Sequence, residues 1–322
     1  MVLKNKILIL FILLASKLSF AQQLPFWTQH RSNYFIVNPA VTGARKTIDT
    51  RMNYRYQWVG FDGSPKTLSI GAHGNFFKTK MGAGLFVYQD KIGPQQISTI
   101  AGSFAFHFPV QDMKLSMGLN GSYNVNALNV NNITYLNSHD ALINNAVSYN
   151  KAKIPNMAAG FMLHNEKFYV GFAMNNMFGN SYKFRENKKA ANFTNLTTVP
   201  HFNVAVGYNW TENGDFIWEN SLMTNYVSNT PILIDYNLKL HIKNALFVGA
   251  GIRLRAAIYG QIGYTINGMG QIGYSFDYNT NALMKTNYGS HEIKIAYVFN
   301  QDQKMKHKGG KGFSHQHYQY ML

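Results

Sequence analysis

The residue types that do chemistry are present in this chain, but almost nowhere at a spacing that chemistry can use. Ser138, His139 and Asp140 are the components of a nucleophile, a base and an orienting acid. Three consecutive residues of a loop cannot normally converge on one substrate atom. His73, His107, His201 and His241 fall in strand-like segments, point mostly inward by parity and have no obvious serine partner, which speaks against a lipid hydrolase working at a membrane rim. Gly249-Ala-Gly251 and Gly268-x-Gly270-x-x-Gly273 imitate a phosphate loop, yet no helix follows either. His307, His315 and His317 lie in a lysine-rich tail with no carboxylate or cysteine to complete a metal site. No catalytic residue, metal ligand or cofactor is therefore assigned. What remains is charge at period two: Asp49, Arg51 and Arg55 on one face of a segment whose other face carries Met52, Tyr54 and Tyr56.

That alternation requires a β-strand with one face toward water or ionic partners and one toward an apolar medium. The segment Thr47 to Val59 is the clearest case, and about a dozen more follow it. An arginine turned toward lipid costs ~2 to 4 kcal/mol at the midplane, so Arg51 and Arg55 belong inside a closed wall. By parity Lys114, Lys239, Arg253 and Lys294 join them, with Asp49, Asp235, Asp277 and Glu292 as partners. The fold class is all-β: a transmembrane antiparallel up-and-down β-barrel of about 14 strands, of outer-membrane type. Strands are expected to begin near Thr47, Thr67, Met81, Ser98, Met113, Asn156, Phe168, His201, Phe216, Ile232, Leu246, Ala257, Gln271 and Ser290. Short links alternate with long ones, and the long ones (Ala127 to Pro155, Asn176 to Val199, Thr280 to Gly289) all fall on one side. An even strand count returns both chain ends to the periplasm.

Composition agrees with an exported membrane barrel. Thirty Lys+Arg against 14 Asp+Glu give a formal charge of +16, and 15% of residues are aromatic, as interfacial girdles need. The positive excess points to an anionic partner such as lipopolysaccharide; scattered through strands of an exported chain, it does not point to nucleic acid. With no cysteine, stability must come from the strand ladder. Residues 1–21, with a basic start, the apolar run Ile7 to Leu14 and Ser19-Phe20-Ala21, form a Sec signal peptide. Residues 22–46 make a leader that could plug the lumen or cap the periplasmic mouth, 47–299 the barrel, and 300–322 a basic, flexible tail.

The leader and first hairpin carry the most specific motif: Phe26-Trp27-Thr28-Gln29, then Asn38-Pro39-Ala40 with Gly43, then Arg55-x-Gln57-Trp58-x-Gly60, and Gly63-x-Pro65-Lys66-Thr67. This set resembles the PorP/SprF family of type IX secretion outer-membrane proteins of the Bacteroidota. It departs at His30 to Tyr34, where the family pattern has Tyr-Met and Asn-Pro. The resemblance implies a non-enzymatic barrel in the outer membrane that assists export or surface anchoring of a gliding or adhesin-type partner with a C-terminal sorting domain. It also implies contacts with periplasmic or outer-membrane secretion components. Arg55 and Gln57 on the lumen face, beside an outward Trp58, would set register and hold the leader, and Gly60, Gly63 and Pro65 suit a tight loop. The basic interior leaves a second function open, a passive channel for small polar or anionic solutes. The two longest loops are expected to hold the secreted partner outside, with leader and tail on the periplasmic side.

Overall fold

The computed structural model describes residues 25–45, 47–76, 80–129, 149–185, 193–212, 215–243 and 245–300. The proposed signal peptide and the tail beyond Asn300 lie outside them. In chain order the strands are β1 (Thr47–Tyr56), β2 (Lys66–Asn75), β3 (Met81–Ile92), β4 (Gln95–Val110), β5 (Met113–Asn129), β6 (Tyr149–His164) and β7 (Phe168–Asn175), then β8 (Ser181–Arg185), β9 (Phe193–Thr197), β10 (His201–Glu212) and β11 (Phe216–Val227), and finally β12 (Leu233–Ile242), β13 (Leu246–Arg253), β14 (Ala257–Ile266), β15 (Gly270–Asn279) and β16 (Ser290–Asn300). Fourteen of them close an antiparallel barrel in which β1 pairs with both β2 and β16; β8 and β9 form a separate hairpin. No described helix is long and apolar enough to cross a membrane.

The wall obeys its alternation. Met52, Ile70, Leu85, Val87, Ile100 and Leu119 are exposed outside, whereas Asp49, Asn53, Ser69, His73, Asn120 and Asn124 are buried inside. Outward Tyr54, Tyr226, Tyr236 and Tyr278 ring the mouth with the long connections, and Tyr208, Trp210, Tyr264 and Phe299 ring the mouth with the short turns. Two aromatic girdles with aliphatic residues between them match a bilayer's two interfaces and its hydrocarbon core.

The long connections differ from expectation. β5 and β6 extend to Asn129 and back from Tyr149, so both ends of the link expected over Ala127 to Pro155 are strand; residues 130–148, with Ser138 to Asp140 among them, lie outside the described residues. Between β7 and β10 the chain folds the hairpin β8–β9, whose Tyr182 and Phe184 cover Ala152 and Ile154 on the inner face of that extension. β1 stops at Tyr56 rather than Val59, because Trp58 adopts φ 50° and leaves the ladder.

Residues 25–45 run through the lumen as a plug. A 3-10 turn (His30–Asn33), one α-helical turn (Tyr34–Val37) and a second 3-10 turn (Pro39–Val41) bury Trp27, Tyr34, Phe35, Ile36, Ala40 and Val41. Pro25 lies beside Asn175, Thr230 and Pro231 at the long-connection mouth, and Arg45 meets Asp49 near the opposite one. The plug therefore crosses the barrel from the long-connection mouth to the short-turn mouth, so of the leader only its end near Arg45 lies at the short-turn side.

Candidate functional site

The alternation that buries one face of every strand brings seven charged or polar groups of the plug and six strands to one cluster. Arg55 on β1 places Nη2 2.7 Å from Asp277 Oδ2 on β15 and Nη1 3.3 Å from Glu292 Oε2 on β16. Arg253 on β13 reaches Asp277 at 3.1 Å and Asp235 on β12 at 3.1 Å. Thr28 of the plug enters between them. Its hydroxyl donates to Asp277 at 2.7 Å and accepts from Arg55, while its backbone N–H donates to Glu292 at 2.6 Å. Tyr259 on β14 donates to Asp235 at 2.6 Å, and Phe26 of the plug lies beneath the Arg253 guanidinium, 4.2 Å from its ring centre. Arg55, Asp277, Glu292 and Asp235 are each 1% exposed or less. Charges so buried survive only if each is paired and hydrogen-bonded, so this end of the plug and the wall stabilise each other.

A second cluster centres on Glu219 of β11, which pairs with Arg31 of the plug at 3.1 Å, Lys239 at 3.2 Å and His241 at 2.9 Å. A third, near the short-turn mouth, joins Asp49 to Arg45 at 3.5 Å and to Arg51 at 3.4 Å. His30 of the plug stands 3.8 Å from Asp235. His107 does have a serine partner: Ser116 lies 2.7 Å from its Nδ1 and 3.0 Å from His164 Nε2. Ser116 is fully buried, and the other nitrogen of His107 meets the Thr42 carbonyl at 3.0 Å, so the pair anchors the plug rather than facing a substrate.

The motif residues divide between plug and loop. Asn38 Oδ1 accepts from Ala40 N–H at 2.9 Å, capping the Pro39 turn, and its amide donates to the backbone carbonyls of Phe161 at 3.2 Å and Phe172 at 3.3 Å. That turn rests on glycines of the wall: a Cβ at Gly118 would stand 2.3 Å from the Pro39 carbonyl carbon. Gly43, at φ 66°, donates to His73 Nδ1 at 3.1 Å and abuts Gly82 of β3. Beyond β1, Gln57 N–H donates to the Pro65 carbonyl at 2.9 Å and Trp58 N–H to Ser290 Oγ at 3.1 Å. Gly60 (φ 93°) packs against the Tyr288 ring, and the Gly63 carbonyl accepts from Gly93 at 2.8 Å. Gln57 and Trp58 thus belong to a loop joining three connections, not to the lumen face and an outward strand position. Lys66 begins β2 outside the barrel, and Lys114 is exposed at the start of β5, away from the buried clusters that hold Asp49, Arg51, Asp235 and Lys239. Sequence reasoning named Thr28 only as part of a motif, with no role, and missed Arg31, Glu219 and Tyr259. Glu219 had a signal, being a carboxylate between Trp218 and Asn220 in an alternating strand.

Residues 19–297 match the family described as type IX secretion system membrane protein PorP/SprF. The chain belongs to that family. No curated protein matches it. Among solved structures, the toluene transporter TbuX of Ralstonia pickettii aligns at 7% identity and a TM-score of 0.51, covering 82% of this chain and 92% of that one. The CymD monoaromatic hydrocarbon channel aligns at 10% identity and a TM-score of 0.51, covering 83% and 92%. At such identities the likeness is one of fold: a PorP/SprF-family chain folded as an outer-membrane type β-barrel. Between plug and wall, cavities of ≈ 40 Å³ (beside Arg31 and Glu219), ≈ 50 Å³ (beside Trp27 and Asn124) and ≈ 60 Å³ (beside His30 and Asn203) remain in this PorP/SprF barrel. Each has room for a few waters, at the ~10 to 15 Å³ a water requires.

Proposed function

We propose that this protein is a non-enzymatic accessory barrel of type IX secretion, which helps export, or anchors at the cell surface, a partner carrying a C-terminal sorting domain. It would act in the outer membrane of a member of the Bacteroidota after Sec export. The observation that carries this reading is the plug, tied to β1, β15 and β16 through Thr28 and to β11 through Arg31 by buried charge. A lumen filled by its own chain, with residual cavities of ≈ 60 Å³ or less at the sites described, favours a scaffold over a solute channel.

A scaffold of this kind engages its partner at its ends. The long-connection mouth bears the β8–β9 hairpin, the extended β5–β6 wall and the start of the plug, which suits it to hold the secreted partner outside. The short-turn mouth, with exposed Lys80, Lys114, Lys167 and Lys243, suits contact with periplasmic components. Removing residues 181–197 and shortening 130–148 should abolish surface retention of the partner while the barrel still folds. Retention that survives this deletion, or a steady pore from the intact protein in a planar bilayer, would overturn the reading.

A further inference from the structure

The outer face of β1 to β6 has a feature that neither the plug nor the scaffold role uses. At the long-connection rim the residues Tyr56, Lys66, Lys91, Gln96, Ala127 and Lys151 are successive cross-strand partners, forming one outward rung across six strands. Lys66 and Lys91 stand directly opposite each other, both exposed, and Lys153 lies one outward position below Lys151. Like charges directly opposed on one face of a sheet are destabilising unless a counter-charge lies between them. The Lys66 ammonium reaches the Tyr56 ring at 4.6 Å, which orients it without neutralising it. Asp62 is the only exposed carboxylate among the described residues at this mouth, whereas the opposite mouth interleaves its lysines with Asp112, Glu166 and Asp215.

Directly below the lysines the wall is hollowed. A groove of ≈ 350 Å³ under Gln89 and Ser98 is lined by Leu68 and Tyr123. It shares Ile70, Val87 and Ile100 with a second groove of ≈ 510 Å³ that continues to Met52, Ala72 and Leu85. Small outward side chains, Ser98 and Ala72, leave this hollow between larger neighbours. Along β3 it runs six residues down from Lys91 to Leu85, about 20 Å at ~3.4 Å per residue. Cations at an interface above an apolar trough that descends along the strands have the shape and polarity of a headgroup-and-chain site.

We propose that this face binds one lipopolysaccharide molecule, with one lipid A phosphate on the opposed Lys66 and Lys91, the second phosphate toward Lys153 three strands from Lys91, and an acyl chain along the Ile70, Val87 and Ile100 groove. Lysine suits the role as a point charge for phosphate, and the bound anion relieves the opposed pair.

The test uses the full-length barrel in detergent and fluorescent deep-rough lipopolysaccharide, with phosphatidylglycerol and dephosphorylated lipid A as competitors. Lys66→Gln/Lys91→Gln/Lys153→Gln should weaken lipopolysaccharide binding at least tenfold. Ala72→Phe, which fills the groove on a lipid-facing position, should do the same with all lysines intact. Heat-modifiable migration should be unchanged in both. Neither competitor should displace the probe at equal concentration. Undiminished binding in either variant, or equal displacement by phosphatidylglycerol, would overturn the site. None of these readings depends on secretion, so they stand apart from the partner-retention test.

Discussion

Arg55 of the first strand and Asp277 of the fifteenth meet at 2.7 Å inside the barrel, 222 residues apart in sequence, with the Thr28 hydroxyl of the plug donating to that same carboxylate. One contact thus closes the wall near the β1–β16 seam and fixes the plug. Arg55→Met should leave Asp277 with Arg253 alone and take the arginine from buried Glu292, at a cost of about 3 to 5 kcal/mol. Arg51→Met should cost less, because Asp49 keeps Arg45. Unfolding midpoints in denaturant, read by heat-modifiable migration, compare the two.

The plug depends on missing side chains in the wall. A Cβ at Gly82 would stand 2.0 Å from the Thr42 carbonyl oxygen, whereas one at outward Gly121 would meet nothing within 4 Å. Gly82→Ala should therefore destabilise by about 1 to 3 kcal/mol and unseat the end of the plug, appearing as intermittent conductance in planar bilayers. Gly121→Ala should stay within about 0.5 kcal/mol and remain silent. Equal behaviour of the two would separate the plug from the lumen's closure.

Register sets which substitutions the membrane rejects. Met52 and Tyr54 are each 40% exposed on the outer face, so arginine at Met52 should cost ~2 to 4 kcal/mol and at Tyr54, nearer the rim, less. The assembled fraction in outer-membrane preparations should fall in the order Arg51→Met, Tyr54→Arg, Met52→Arg, with the last most impaired.

Sidedness is open to a direct measurement, because the chain contains no cysteine. Asp62→Cys and Lys285→Cys, at the long-connection mouth, should react with a membrane-impermeant maleimide on intact cells. Asp112→Cys and Lys243→Cys should react only after permeabilisation. The reverse pattern would turn the barrel over and put the plug's entry in the periplasm.

The barrel wall is legible in the chain alone. Alternation is local, two residues per period, so the expected starts at Met81, Met113, Phe168, His201, Phe216, Leu246, Ala257 and Ser290 coincide with the strands. The inward facing of Asp49, Arg51, Arg55, Asp235 and Lys239 was legible for the same reason. It misled where a local signal had a non-local answer. Pro155 reads as the end of a loop, yet it pairs with Tyr123 inside β6, because β7 joins β6 only from Ala159 and the missing N–H falls on an edge β7 does not reach. Which partner each inward charge meets depends on how the barrel closes and how the plug threads it. Glu219 finds Arg31, 188 positions away, through barrel closure and the path of the plug. The plug itself has no period to read. Its turns are individually too short to be stable, and they hold because wall glycines admit their backbone and buried wall charges require their polar groups.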